Sequence, residues 1–336
     1  MREFGVLPDE FTFTSLLSVS AQTCDLDLGR FVHLCMEVNG VGSDLHVKNA
    51  LVDMYGKCGQ LDIARYIFEQ MHNKNVITWT SMLNAYAKHG LIDFAQQCFD
   101  QMPMKNVVSW NCMMSCFVQE GRCREAYNLF CRMCNSGVSP DENSLISILS
   151  ASSQLGDLVM GKEIHGYILA NNITPSVTLS NSLVDMYAKC GPVERALGIF
   201  FEMPKRNLVS WNVLIGALAL HGRGSEAVDL FKGMVESGIK PDEITFTGLL
   251  SACSHSAGRW DDVKKIRKLM NDHTIEKCRA ISSIEIDGCV CQFMVDDRRH
   301  ESWDSIQIML DQLNDHLKFA GYRYNLSSSL LEEKEI

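Results

Sequence analysis

The chain has 336 residues, 46% apolar and 21% charged, with a formal net charge of −10 at pH 7. No run of about 20 apolar residues occurs, so no membrane-spanning helix is expected, and the acidic balance argues against a nucleic-acid binder that relies on a broad positive field. The 14 cysteines lie mostly at helical positions without framework spacing, which favours reduced, buried thiols over a disulfide scaffold.

In chain order, residues 1–9 (MREFGVLPD) lack the Arg-rich, Ser-rich character of a transit peptide. They read as the tail of a truncated preceding repeat, as in a fragment, a shortened gene model or a degraded paralogue. Residues 10–242 then divide without remainder into seven segments of 35, 31, 31, 35, 35, 31 and 35 residues, opening at Glu10, Leu45, Val76, Val107, Glu142, Val177 and Leu208. Residues 49–59 (NALVDMYGKCG) recur as 181–191 (NSLVDMYAKCG), and SWN at 109–111 returns at 210–212. A period of this length marks a solenoid whose units bury their apolar faces against their neighbours.

Each recurring phase has a physical reason. Positions 2–14 carry apolar residues at helical spacing, as in Ala50, Leu51, Met54 and Tyr55. Glycine follows at position 15 in six segments (Gly59, Gly90, Gly121, Gly156, Gly191 and Gly222), where it can take positive φ and end the first helix. A second amphipathic run carries alanine at position 20, phenylalanine at 24 and methionine at 27, as in Ala64, Phe68 and Met71. These are core positions: the alanine lets helices approach and the larger side chains fill the space between hairpins. Pro140 with Asp141, and Pro241 with Asp242, suit the turn between units. Almost no β structure is expected before residue 280.

An eighth segment opens at Glu243 and passes at Ala257 into a different text, so 243–272 reads as a hybrid helical pair. Residues 281–295 alternate around Asp287 and Gly288, the signature of a tight β-hairpin. Trp303, Ile306, Leu310, Leu313 and Leu317 then share one helical face, and 326–336 form a polar tail.

The units reading VVSWN, then EA, LF, M, G and PD at fixed offsets, resemble the pentatricopeptide repeat family. The alternation of lengths resembles its plant organellar subclass of long, short and standard repeats. Segments 10–44 and 142–176 look long, with His33 and His165 at position 24; 45–75, 76–106 and 177–207 look short; 107–141 and 208–242 look standard. The Trp-Asn pairs and Pro-Asp ends fit the tetratricopeptide repeat poorly. The resemblance implies an all-α, right-handed superhelical α-solenoid with a small C-terminal helix and β-hairpin extension. Residues 273–325 resemble the family's extended E region, although its glycine-cysteine-serine-tryptophan box is replaced by residues 280–283.

The resemblance also implies that single-stranded RNA lies along the solenoid, one base per repeat. Position 5 and the last position of each unit would read it. Thr14 with Asp44 implies G, Asn49 with Asn75 a pyrimidine, Thr80 with Asn106 A, and Asn111 with Asp141 U. Ile146 with Ser176 implies no preference, Asn181 with Asn207 a pyrimidine, and Asn212 with Asp242 U. The string is G-Y-A-U-N-Y-U. Any one of these asparagines taken alone reads first as a helix cap or turn residue; their recurrence at one phase reverses that in favour of reading. Ile77, Val108 and Val209 at position 2 would wedge between bases, while His46, Asn143 and Thr178 depart from that pattern. Lys57, Lys88 and Lys189 at position 13 could meet phosphates or simply complement a helix C-terminus.

Catalysis is not expected. Zinc deaminase chemistry needs a His-x-Glu pair and a Cys-x-x-Cys pair. No His-x-Glu occurs, and the one Cys-x-x-Cys, Cys131 to Cys134, falls inside a second helix. Cys289 and Cys291 are too close to hold zinc alone. No cofactor and no metal are expected. The resemblance implies a site-recognition factor for C-to-U editing of organellar RNA, mitochondrial or else chloroplast. It would work with editing accessory proteins and a deaminase-bearing family member in trans. The alternatives are a splicing or stability factor, a helical protein-interaction scaffold and a non-functional paralogue.

Overall fold

The computed structural model describes residues 8–41 and 44–254, the strands at 281–286 and 289–294, and residue 312. The described residues fall in two separate units, divided after His273. The first is built of helical hairpins: α1 (Glu10–Thr23) with α2 (Leu26–Val38), α3 (Leu45–Lys57) with α4 (Leu61–Gln70), α5 (Val76–Lys88) with α6 (Ile92–Gln101), and α7 (Val107–Gln119) with α8 (Cys123–Asn135). These are followed by α9 (Glu142–Leu155) with α10 (Leu158–Ala170), α11 (Val177–Cys190) with α12 (Val193–Glu202), α13 (Leu208–Leu220) with α14 (Gly224–Glu236), and α15 (Glu243–Ser254). Consecutive first helices pack directly on one another from α1 to α15. Each second helix packs on its own first helix and on the next one, and neighbouring second helices meet through side chains, as where Tyr127 of α8 donates to Glu163 of α10 and Arg132 of α8 pairs with Asp100 of α6 at 3.8 Å. This is a two-layer α-solenoid with one continuous row of first helices. Among the described residues no strand precedes Ile281.

Most of the difference between the 31-residue and 35-residue segments lies in the second helix. It has 10 residues in α4, α6 and α12 and 13 in α2, α8, α10 and α14, whereas first helices keep 12 to 14. The first-helix row is therefore regular although the segment lengths alternate.

The position 15 turn differs from expectation in two places. Five of its glycines are left-handed, but Gly191 is extended at φ −140° and α11 runs one residue longer, to Cys190. Pro192 follows, and its ring pushes the preceding residue out of helical conformations. In the first segment Cys24 holds the turn at φ +54° without being glycine.

The core explains the other phases. Ala64, Ala95, Ala126, Ala196 and Ala227 are all completely buried. In the two segments that carry glycine there instead, Gly29 and Gly161, a methyl group would lie 2.4 Å from Met54 Sδ and 2.2 Å from Met186 Sδ. Phe68, Phe99 and Phe200 meet Trp79, Trp110 and Trp211 of the next segment edge-on, with centroids 5.0, 4.9 and 5.0 Å apart. Lys74, Lys105 and Arg206 cover the same three phenylalanine rings at 5.0 Å. Where His33 and His165 replace phenylalanine, each Nδ1 hydrogen-bonds a tyrosine hydroxyl of the next segment, Tyr55 and Tyr187, at 2.9 Å.

In the second unit β1 (Ile281–Ile286) pairs antiparallel with β2 (Cys289–Met294), Ile286 opposite Cys289, which leaves a two-residue connection. Residues 1–7, the part of the 243–272 pair beyond Ser254, the helix expected around Trp303 to Leu317, apart from residue 312, and the tail lie outside the described residues.

Candidate nucleic-acid interface

The last residue of each segment is the N-cap of the following first helix. Asp44, Asn75, Asn106, Asp141, Ser176 and Asn207 each accept a backbone N–H from the first turn of α3, α5, α7, α9, α11 and α13, and Asp242 accepts the Thr245 N–H at 2.9 Å. The cap fixes these side chains beside the position 5 residue of the segment just ended. Cap and candidate reader are thus one group, not alternatives.

Four pairs are joined by hydrogen bonds. Asn49 Nδ2 donates to Asn75 Oδ1 at 3.3 Å, Asn111 Nδ2 to Asp141 Oδ1 at 2.8 Å, Asn181 Nδ2 to Asn207 Oδ1 at 3.5 Å, and Asn212 Nδ2 to Asp242 Oδ1 at 2.9 Å. The other three are not joined. The Thr14 and Thr80 hydroxyls turn back to the carbonyls of Phe11 and Val76, at 3.1 and 2.6 Å, and so leave Asp44 and Asn106. Ile146 has no polar atom, and the Ser176 hydroxyl bonds the Glu142 carboxylate.

Burial raises the Asp141 carboxyl, but hydrogen bonds from the Ser144 N–H and the Asn111 amide outweigh it and hold the group below its ordinary value. Asp242 is lowered in the same way by Thr245 and Asn212 against the effect of burial. Both are carboxylates at neutral pH and can only accept hydrogen bonds.

Position 2 is apolar and exposed where wedges were expected: Ile77 is 56% exposed, Val108 54% and Val209 53%. Ile244, at the same phase of the eighth segment, is 66% exposed; the sequence reading took wedge positions only from the seven complete segments and so missed it. A groove of about 790 Å³ gathers Val209, Ile244, Asn212, Asp242 and Lys189. A second groove, about 580 Å³, is lined by Lys57 and Lys88 with Ser81, Asn84 and Ser115. The lysines have internal partners: Lys57 pairs with Asp53 at 2.7 Å, Lys189 with Asp185 at 2.9 Å, and Lys88 donates to the Lys57 carbonyl at 3.3 Å.

Comparison with known families agrees with this architecture. The pentatricopeptide repeat model matches residues 47–76, 77–107 and 179–208, and a second model of the same repeat family matches 105–153 and 206–255. Together they cover more than half of the chain. The chain belongs to the pentatricopeptide repeat family. Among curated pentatricopeptide repeat proteins of Arabidopsis thaliana, a chloroplastic one is 34% identical over 100% of this chain and 55% of its own length. A mitochondrial one is 36% identical over 95% of this chain and 62% of its own. The chain thus spans just over half the length of these relatives. Among solved structures, the pentatricopeptide repeat protein PPR10 from maize superposes with a TM-score of 0.56 at 21% identity, over 79% of this chain and 40% of that one. PPR10 in complex with an 18-nt psaJ RNA element superposes at 0.58 and 22% identity, over 83% and 47%.

Proposed function

We propose that this pentatricopeptide repeat chain reads single-stranded RNA one base per repeat, with the joined pairs Asn49/Asn75, Asn111/Asp141, Asn181/Asn207 and Asn212/Asp242 as its strongest readers. The observation that carries this reading is their recurrence at one phase of the first-helix row, beside the exposed side chains of Ile77, Val108, Val209 and Ile244. An amide N–H beside a carboxylate suits uracil, whose carbonyl accepts and whose ring N–H donates. Thr14/Asp44 and Thr80/Asn106 read less strongly because their two side chains are not locked together. Lys57, Lys88 and Lys189 each hold one internal partner and keep N–H groups for a phosphate, but the carboxylates beside Lys57 and Lys189 offset part of their charge. Binding therefore rests on base contacts more than on charge. PPR10, which shares the fold, is in complex with an 18-nt RNA element, and this supports RNA as the ligand.

At the finer level we propose site recognition for C-to-U editing in an organelle, with accessory proteins and a deaminase supplied in trans. The alternating segment lengths and the 281–294 hairpin support it. The relatives include both chloroplastic and mitochondrial proteins. The chain's charge of −10 favours one second reading, a scaffold for proteins.

The test is a gel shift with G-Y-A-U-N-Y-U RNA at about 100 mM salt. The wild type is expected to prefer U at the fourth base, and the double variant Asn111→Thr, Asp141→Asn to prefer A, as the Thr80/Asn106 pair is read to do. Absence of binding to any RNA overturns the proposal in favour of the scaffold.

A further inference from the structure

We propose that three of the four joined base readers are units of three residues spanning two repeats, the third member being the hydroxyl at position 3 of the following repeat: Thr78 for Asn49/Asn75, Ser144 for Asn111/Asp141 and Thr245 for Asn212/Asp242. This rests on the RNA-reading proposal and adds positioning residues to it. Thr78, Ser144 and Thr245 are all 0% exposed, so none can touch a base. They act through the amide they hold.

A count of protons shows how. Ser144 Oγ accepts the Asp141 N–H at 3.2 Å and has one proton to give. Two oxygens are in reach, Asn111 Oδ1 at 2.5 Å and Asp141 Oδ1 at 2.9 Å. Asp141 Oδ1 already accepts the Ser144 N–H and the Asn111 amide, so the proton goes to Asn111. The ordering is the same at Thr78, 2.6 Å to Asn49 and 2.9 Å to Asn75, and at Thr245, 2.6 Å to Asn212 and 2.8 Å to Asp242. The hydroxyl thus holds the amide oxygen and the cap holds the NH2 group, so the amide cannot flip. One N–H of known direction remains for the base.

The same rule marks where the lock is absent or incomplete. The segments after the two long repeats carry Val47 and Leu179 at position 3, and the long repeats' own candidates, Thr14/Asp44 and Ile146/Ser176, are unjoined. At Asn181 the lock is half made. Ser210 Oγ reaches Asn207 Oδ1 at 3.0 Å but not Asn181, whose Oδ1 is buried without a hydrogen-bond partner among the described residues.

Ser109 provides the control. Its hydroxyl accepts the Asn106 N–H at 3.1 Å, the capping contact Ser144 also makes, but it holds no position 5 residue because Thr80 turns away. Ser144→Ala and Ser109→Ala should lower the melting temperature alike. Only Ser144→Ala should reduce preference for U at the fourth base, by about two- to tenfold, the worth of one hydrogen bond, with Ser144→Thr restoring it. Preference at the seventh base should not change. Full fourth-base preference in Ser144→Ala, or an equal loss at the third base in Ser109→Ala, overturns the inference. A wild type that binds RNA with no base preference overturns the reading proposal instead. Side-chain amide NMR of the RNA-free protein decides the lock independently. The Asn111 NH2 should be ordered in the wild type and in Ser109→Ala and mobile in Ser144→Ala; equal order in all three refutes it.

Discussion

Single atoms decide what several positions tolerate. Gly161 stands where other repeats carry a buried alanine, and the space of that methyl is taken by the fully buried Met186. Gly198, in α12, meets nothing within 4 Å. We expect Gly161→Ala to destabilise by about 1–3 kcal/mol, because Met186 must leave a packed rotamer. Gly198→Ala should stabilise by about 0.5–1 kcal/mol through helix propensity. Chemical denaturation of the two variants measures both. Equal effects would mean that Met186 repacks freely. The same substitution thus takes opposite signs according to whether a packed side chain already fills the space of the new methyl.

At the scale of the helix, one side chain caps and, on the proposed reading, also faces the base. The Asn207 Oδ1 caps α13 by accepting the Ser210 N–H at 3.0 Å, and aspartate supplies the same acceptor. Asn207→Asp should therefore leave stability within about 0.5 kcal/mol of the wild type, helped by a negative charge at a helix N-terminus. It should also move preference at the sixth base toward U, the base proposed for Asn111/Asp141 and Asn212/Asp242. Melting curves and competition binding separate the two effects; a variant that loses stability and keeps its preference would show the residue to be a cap alone.

Over the whole molecule, charge limits how RNA can be held. The net charge is −10, and Lys57 and Lys189 are already paired with Asp53 and Asp185 in their own helices. Each phosphate neutralised on a single strand adds about 0.7 to the slope of log affinity against log salt. Three lysines would thus give a slope no steeper than about −2. Affinity measured between about 50 and 300 mM salt tests this. A much steeper slope would mean that cations outside the three lysines carry the strand.

Much of the architecture was legible because a solenoid repeats local rules. Helix starts, the alanine, phenylalanine and methionine phases and the Asp-Gly hairpin depend on residues within one segment. Even Gly191 could have been read, since Pro192 stands next to it in the chain. The candidate readers were legible as a phase, but which pairs close was not. Thr78 and Asn49 lie 29 residues apart, Ser144 and Asn111 33, and Thr245 and Asn212 33. Their union depends on how one first helix sits on the next. The sequence by itself determined the repeat, its hairpins and the phase of its polar residues, because periodicity and propensity act over a few turns. Only the tertiary structure decided which amides are locked, which threonines turn away and which lysines are already paired, because a hydrogen bond forms over about 3 Å and only packing brings such atoms that close.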